Sequence, residues 1–374
     1  MRKVLTFVIA AAAAAGLGLE QAKGQDIVVA TAGPMTGGEA VFGEQMRKGA
    51  EMAVKHINEA GGVLGKRLKL EVADDACEPK QAVPVATSLV QKKVVFVAGH
   101  WCSGVSIPAS AVYAENNIMQ ITPASSNPRL TDEAKVKGWK TVARTCGRDD
   151  IQGVVAGKFL AAKYKGKKIA VLHDKSPYGQ GIADETKKNF NKAGQTEALY
   201  DSFQKGDKDF TALVSKMKSV GIDVVYVGSY HNEVGLLVKQ SREQGFKAQY
   251  ISPDVLQTEE FWKVAGAAGE GVLFTFVPDP LANPGAKEVV DAFKKDNYNP
   301  EGYTLYTYAA FQVWVAAAKA AGSTDAQKVA AQIHGKSFDT VVGRLQYDDK
   351  GDVSNPQYVW YIWGKDGKYS QIKD

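Results

Sequence analysis

Gly99-His100-Trp101-Cys102-Ser103-Gly104 is the stretch from which the rest of this chain can be read. Before it runs Val94-Val95-Phe96-Val97-Ala98, β-branched and aromatic, the composition of a buried strand. After it, Val105 to Glu115 reads as a helix with small residues in its first turns. A chain that passes from strand to helix through so short a turn leaves backbone N–H groups unpaired, with the Ser103 hydroxyl beside them. The amides and the helix dipole then point the same way, which suits a small anion such as a carboxylate. A plainer reading also fits, with Ser103 as an ordinary N-cap.

The same alternation repeats outward. On the N-terminal side Ile27 to Thr31 and Leu68 to Val72 read as strands, with a helix from about Phe42 to Ala60 between them and another from about Lys80 to Lys92. On the C-terminal side Ile118 to Thr122 and Thr141 to Thr145 are strands. The pattern then restarts, with helices from about Ile151 to Tyr164, onward to about Ala193, and up to Gln244. Strands at Lys168 to Leu172, Asp223 to Val227, Tyr250-Ile251 and Gly271 to Val277 accompany them. A long helix from about Tyr303 to Ala321 and a strand-like segment from Gln357 to Trp363 complete the chain. This is the signature of α/β units with parallel sheets covered on both faces. Ligands of such sheets bind outside the carboxyl ends of the strands. Here those ends carry His100 to Gly104, Thr122 to Ser126, His173 to Tyr178, Ser229 to His231 and Pro253-Asp254.

At 374 residues the chain exceeds one core and suits two domains. Met1-Arg2-Lys3 is a basic start, Val4 to Ala15 an apolar run, and Ala22-Lys23-Gly24 offers small residues for cleavage, so residues 1–24 read as a secretory signal peptide. Its removal lowers the formal charge from +5 to +3, and without basic clusters nucleic acid is not an expected partner. An exported chain with Cys77, Cys102 and Cys146 should pair two of them. Cys77 with Cys102 is favoured, because both fall on loops at the carboxyl ends of what read as neighbouring strands. Cys146 is then a buried thiol.

Enzyme chemistry finds little support. Cys102 is expected to be oxidised rather than nucleophilic, and Ser103 lacks a Gly-x-Ser-x-Gly elbow. Gly61 to Lys66 misses the phosphate-loop spacing, and the five histidines are scattered, so no metal, cofactor or catalytic residue is expected. Asp74-Asp75 and Asp149-Asp150 read as solvated or hinge charges. What remains is binding vocabulary. Ser103 and Ser125-Ser126 offer donors on the first half, while Tyr178, Tyr230 and Asp254 stand at strand ends on the second. An α-amino acid needs donors for its carboxylate and acceptors for its ammonium, so closure of the two halves would complete both shells.

Several strings, in this order, carry a resemblance: Asp74-Asp75-Ala76-Cys77-Glu78-Pro79-Lys80-Gln81-Ala82, Gly99-His100-Trp101-Cys102-Ser103, Ile121-Thr122-Pro123-Ala124, His173-Asp174-Lys175-Ser176-Pro177-Tyr178-Gly179 and Gly228-Ser229-Tyr230-His231. From about Asp26 onward the chain resembles the periplasmic leucine/isoleucine/valine-binding protein family, the solute receptors of branched-chain amino acid ABC transporters. The resemblance implies two Rossmann-like α/β lobes joined by a three-strand hinge, the type I periplasmic binding protein or Venus-flytrap arrangement. Residues 25–145 and 278–355 would form the N-terminal lobe, and 146–277 and 356–374 the C-terminal lobe. It implies the Cys77–Cys102 disulfide as well. Ser103, Ala124 and Ser126, with Ser125 alongside, match carboxylate-binding positions. Asp254 matches the acid that holds the ammonium, Tyr178 and Tyr230 match the family's tyrosines, and Phe42, Trp101 and Tyr303 fall where the side-chain pocket is lined.

Three departures stand out: Asp254 replaces a Glu, Trp101 replaces an aliphatic residue, and Tyr303 stands where Phe is usual. The expected ligand is a neutral aliphatic amino acid. Leucine, isoleucine and valine are favoured, with alanine, proline and γ-aminobutyrate open. The expected setting is the periplasm, as a monomer serving a membrane permease. A sensory or amide/urea receptor of the same fold is the alternative.

Overall fold

A computed structural model describes residues 25–373; the expected signal peptide lies outside the described residues. Buried apolar runs build β1 (Ile27–Gly33), β3 (Phe96–Gly99), β4 (Met119–Thr122) and β5 (Val142–Arg144), and the alternating, largely half-buried to exposed run Leu68–Asp74 builds β2. They form one parallel sheet in the order β2-β1-β3-β4-β5. Between them run α1 (Ala40–Glu59), α2 (Ala82–Gln91), α3 (Ser103–Glu115) and α4 (Arg129–Val136). Pro84 falls in the first turn of α2, where its missing N–H leaves no helical bond unmade.

The chain then leaves this sheet for a second α/β unit. It comprises α5 (Asp149–Lys163), β6 (Ile169–His173), α6 (Pro177–Lys192), β7 (Leu199–Ser202), α7 (Thr211–Val220), β8 (Val224–Gly228), α8 (His231–Glu243), β9 (Gln249–Ser252), α9 (Glu259–Ala265) and β10 (Leu273–Phe276). It returns to the first core with α10 (Lys287–Lys295), α11 (Thr304–Ala321), α12 (Ala326–Ile333) and the hairpin β11 (Ser337–Thr340) and β12 (Gly343–Gln346). A last crossing adds β13 (Val359–Trp363) and β14 (Tyr369–Gln371) to the second sheet, ordered β14-β13-β10-β9-β8-β6-β7. These two α/β lobes are therefore joined by three crossings. The first lobe's core closes only when α11 arrives, with the fully buried Trp314 stacked on Phe96 of β3 at 4.9 Å.

Three expectations change. β13 and β14 are antiparallel additions to an otherwise parallel sheet. β7 and α7 are absent from the sequence reading, because β7 is a polar edge strand, half-buried to exposed along its length. β2 and β3 are not neighbours, since β1 lies between them. The loops that follow them still converge over the end of β1, and Cys77 and Cys102 are bonded there with Cα atoms 5.5 Å apart. Cys146 is a buried free thiol.

The crossings are fastened by charge. Asp352, between β12 and β13, is 1% exposed and lies 2.8 Å from Arg144 Nε and 2.6 Å from Arg148 Nη1. Thr131 Oγ1 donates to it as well. Burial works against its charge, but the two guanidiniums hold the carboxyl below the usual range.

The disulfide closes a loop of 25 residues. The double replacement Cys77→Ser, Cys102→Ser should lower unfolding stability by about 3 kcal/mol on the chain-entropy account. Urea titration of the oxidised and doubly substituted proteins measures this, and equal midpoints would refute it.

Candidate functional site

The Gly99–Gly104 turn lies where the two lobes meet. Its helix cap is Cys102, with no side-chain cap bond, so the N-cap reading of Ser103 gives way. Ser103 is instead the first helical residue, where amides have no intrahelical acceptor. Its hydroxyl accepts from the Asn127 amide at 3.3 Å. Beneath the turn His100 is wholly buried, Nδ1 at 2.6 Å from Asp75 and Nε2 at 2.8 Å from the Tyr113 hydroxyl. Asp75 is thus no solvated charge but the buried brace of this turn; Asp74 stays exposed. Ser125 is spent on the same bracing, since its hydroxyl bonds the His100 and Trp101 carbonyls and Ser106. Ser126 is buried with a hydroxyl that has no partner.

The second lobe brings acceptors. Ser176 caps α6 by accepting from the Gly179 amide, which sets Tyr178 at the helix start, and Tyr230 occupies the N-cap position of α8. The two rings lie 5.3 Å apart. Asp254 follows β9 in a short turn and is buried. Its carboxylate accepts from the Tyr178 hydroxyl at 2.7 Å and from the Tyr303 hydroxyl at 2.9 Å. Burial raises its carboxyl against the pull of those two phenols. Tyr303 caps α11, so its ring comes from the segment that packs in the first lobe.

Trp101, Ser103, Ala124, Tyr178, Tyr230, Val255 and Tyr303 line a void of about 10 Å³. Asp254 sits behind the two phenols that face it. Phe42 lies behind Trp101, stacked on it at 4.1 Å. Trp101 also meets Tyr303 edge-on at 5.7 Å and Tyr230 at 5.5 Å, so its ring is wedged on three sides. Of the positions singled out in sequence, Ser125, Ser126, Phe42 and Asp254 form the backing of this void rather than its lining. Among the described residues no group of three metal-ligating side chains stands together. Nor is any described helix long and apolar enough to cross a membrane.

The family profile described as periplasmic binding protein matches residues 26–368. A Leu/Ile/Val-binding protein homolog 1 of Brucella suis is 48% identical over 376 aligned positions, covering 100% of both chains. The chain belongs to the periplasmic branched-chain amino acid binding protein family of ABC-transporter solute-binding proteins. Members of this family bind solutes and are not enzymes. An amino acid binding protein of Pseudomonas aeruginosa is 47% identical, covering 98% of this chain and 97% of that one. Among solved structures, a leucine-binding protein of Thermotoga maritima matches with a TM-score of 0.84 and 29% identity, covering 93% of this chain and 98% of that one. A branched-chain amino acid transporter substrate-binding protein of Streptococcus pneumoniae, in complex with isoleucine, gives 0.82 and 27%, covering 94% and 100%.

Reading this solute-binding chain by sequence alone misses the bonds that span its lobes. Lys205 Nζ lies 3.4 Å from Glu39 and donates to the Cys77 carbonyl at 3.3 Å, over the face of Tyr230 at 5.2 Å. Asn232 donates to the Gly38 carbonyl at 2.8 Å, and Asn127 to the Pro177 carbonyl at 2.7 Å. All are ordinary polar residues, Lys205 and Asn127 in loops and Asn232 in the first turn of α8, and no local pattern marks them.

Asp149 is the larger surprise. Expected as a solvated or hinge charge, it is fully buried at the start of α5, and neither carboxylate oxygen has a hydrogen-bond partner. Burial first, then the Asp254 carboxylate, push it up to about 8; nearby Ser126 and Arg144 pull the other way. The folded protein therefore keeps a proton that the unfolded chain sheds near pH 4, and stability falls as pH rises from there to about 8. Asp149→Asn removes that titration. It should leave stability at pH 4 nearly unchanged and raise it at pH 8 by on the order of 3 kcal/mol. Urea midpoints at the two pH values test this, and parallel curves for both proteins would reject it.

Proposed function

We propose that this protein captures a neutral amino acid in the periplasm by closure of its lobes and presents it, as a monomer, to the permease of an ABC transporter. The moving bodies on this reading are residues 25–145 with 278–355, and 146–277 with 356–374. The observation that carries the proposal is the division of charge across the lobe boundary. On one side stand the helix-start amides and hydroxyl of Ser103, beside Ala124 and Ser126. On the other is Asp254, held by Tyr178 and Tyr303. The first set suits a carboxylate and the second an ammonium. Tyr230 and Trp101 would close over the ligand's body. Each charge is buried on closure, so closure is favourable only when a zwitterion supplies both partners.

The Brucella suis relative is named for leucine, isoleucine and valine, and a Pseudomonas aeruginosa relative, 42% identical, for leucine, isoleucine, valine, threonine and alanine. These names support a neutral aliphatic ligand. A second reading favours the short end of that range, such as alanine, proline or γ-aminobutyrate, because Trp101 is wedged by Phe42, Tyr230 and Tyr303 and takes the space of a branched side chain.

Thermal unfolding against a panel of these amino acids, with acetamide and urea, distinguishes the readings. A ligand at a hundred times its Kd adds about 2.7 kcal/mol. Asp254→Ala should weaken binding at least about a hundredfold by stranding the ammonium, and Tyr303→Phe about tenfold. Trp101→Leu should enlarge the accepted side chain. Binding of acetamide or urea that survives Asp254→Ala would point to the amide receptor instead.

A further inference from the structure

The loop between β7 and α7 is tied by its backbone to its own lobe. The Lys205 amide donates to the Asp174 carbonyl at 3.0 Å, the Gly206 amide to Glu233 Oε1 at 2.8 Å and the Phe210 amide to Gln240 at 2.7 Å. The Lys205 side chain goes the other way. Its ammonium crosses to the first lobe, lying 3.4 Å from Glu39 Oε2 and donating to the Cys77 carbonyl at 3.3 Å. An ion pair with one member on each lobe exists only while the lobes are closed.

Both first-lobe acceptors lead to the ligand void. Glu39 is buried at the N-cap position of α1, and Phe42, three residues on, stacks on Trp101 at 4.1 Å. Cys77, held in the left-handed region at φ 56°, is bonded to Cys102, the cap residue directly before Ser103. On its own side the Lys205 ammonium lies 5.2 Å over the ring of Tyr230, which lines the void. Cation and ring attract at that distance. The side chain that fastens the lobes therefore also steadies one wall of the site.

The surroundings make the pair decisive. Glu39 of the first lobe and Asp174 and Glu233 of the second are all buried beside one cleft, so closure brings a third carboxylate to two others. Burial pushes all three carboxyls up, Glu233 to about 7, and Lys205 opposes this at Glu39 and Asp174. Of Lys175, Lys205 and Lys208, which border the cleft, Lys205 is the one paired with a carboxylate there. Without it Glu39 is a stranded charge in the closed form, whereas water solvates it in the open one. We propose that Lys205 is the latch of the closed lobes, a positioning residue that slows release of a captured ligand by neutralising Glu39 across the boundary and holding Tyr230 over the void.

The latch rests on the lobe closure proposed above and adds to it where the rate of opening is set. A ligand enters while the lobes are apart, before Lys205 and Glu39 meet, and leaves only after they part. The pair therefore acts on the dissociation rate and leaves association nearly unchanged. One reading of closure needs no ligand at all. A Cβ at Gly38 would lie 3.2 Å from Asn232 Nδ2 across the same boundary, so cysteines at these two positions can join only in closed molecules.

The first experiment oxidises the mature Gly38→Cys, Asn232→Cys protein with no amino acid present and follows the new cross-link by peptide mapping. Adding Lys205→Met should slow cross-linking about tenfold or more, and Lys205→Arg should keep close to the parent rate. Adding Glu39→Gln to Lys205→Met should recover most of the loss, because the stranded carboxylate is gone. Equal rates with and without Lys205→Met overturn the proposal, as does a parent protein that never cross-links. So does a loss that Glu39→Gln deepens, since Lys205 then acts by packing rather than charge. Circular dichroism establishes that each variant is folded. The second experiment follows tryptophan fluorescence in stopped flow with L-leucine and L-alanine. Lys205→Met should release the bound amino acid about tenfold or more faster, with association within about twofold; a loss confined to association overturns the latch. Failure of any amino acid in the panel to bind the unsubstituted protein counts against the proposed function, and the cross-linking result then judges the latch alone.

Discussion

Asp352 holds together parts of the chain that have no other reason to meet. It lies in the last segment before the final crossing, and it neutralises Arg144 at the end of β5 and Arg148 in the first crossing. Arg144 in turn donates to the Ser125 carbonyl at 2.7 Å, so the same cluster shapes the loop that carries Ala124, Ser125 and Ser126. A buried ion pair adds little net stability compared with apolar packing, but losing one member strands the others, typically at a cost of about 3–5 kcal/mol. The cluster therefore acts chiefly as a specifier. It fixes how two crossings run past each other and where one side of the ligand loop stands.

A second arrangement follows from that placement. The acid at the site is shorter by one methylene than the residue expected there, and the ring opposite it carries a hydroxyl where none is expected. The structure joins the two departures: the Tyr303 hydroxyl reaches Asp254 at 2.9 Å and fills part of the reach the shorter acid gives up. Tyr178 occupies the other oxygen. The carboxylate is thus oriented by phenols from different parts of the chain, one starting α6 and one capping α11.

Much of this was legible in the sequence. Apolar runs of period two and helices of period 3.6 gave both sheets; the strand ends pointed to Trp101, Ser103, Ala124, Tyr178 and Tyr230, and the family resemblance to Tyr303, all of which line one void. Local pattern is silent on register and on what lies between strands. β2 and β3 read as neighbours because they follow each other in the chain, whereas β1 separates them. Burial of single charges is equally silent. Asp75 and Asp149 look like members of any acidic pair, and only the fold decides that one bonds His100 while the other is buried with no hydrogen bond to either oxygen. Lys205, Asn127 and Asn232 escaped because their partners lie far away in sequence.

The stacking of Phe96 on Trp314 has a bearing on the order in which the molecule is completed. Phe96 leaves the ribosome early and Trp314 late, with an entire lobe synthesised between them. The half of the protein that begins first is covered only after the parallel strands of the other half have been made. Until α11 is available, β1 to β5 expose one apolar face with nothing to cover it, while residues of the intervening lobe already possess all of their parallel strands. Contacts of such separation slow folding, because the loop must close before they contribute. An exported chain of this topology gains from crossing the membrane unfolded and assembling only once its whole length is on the far side.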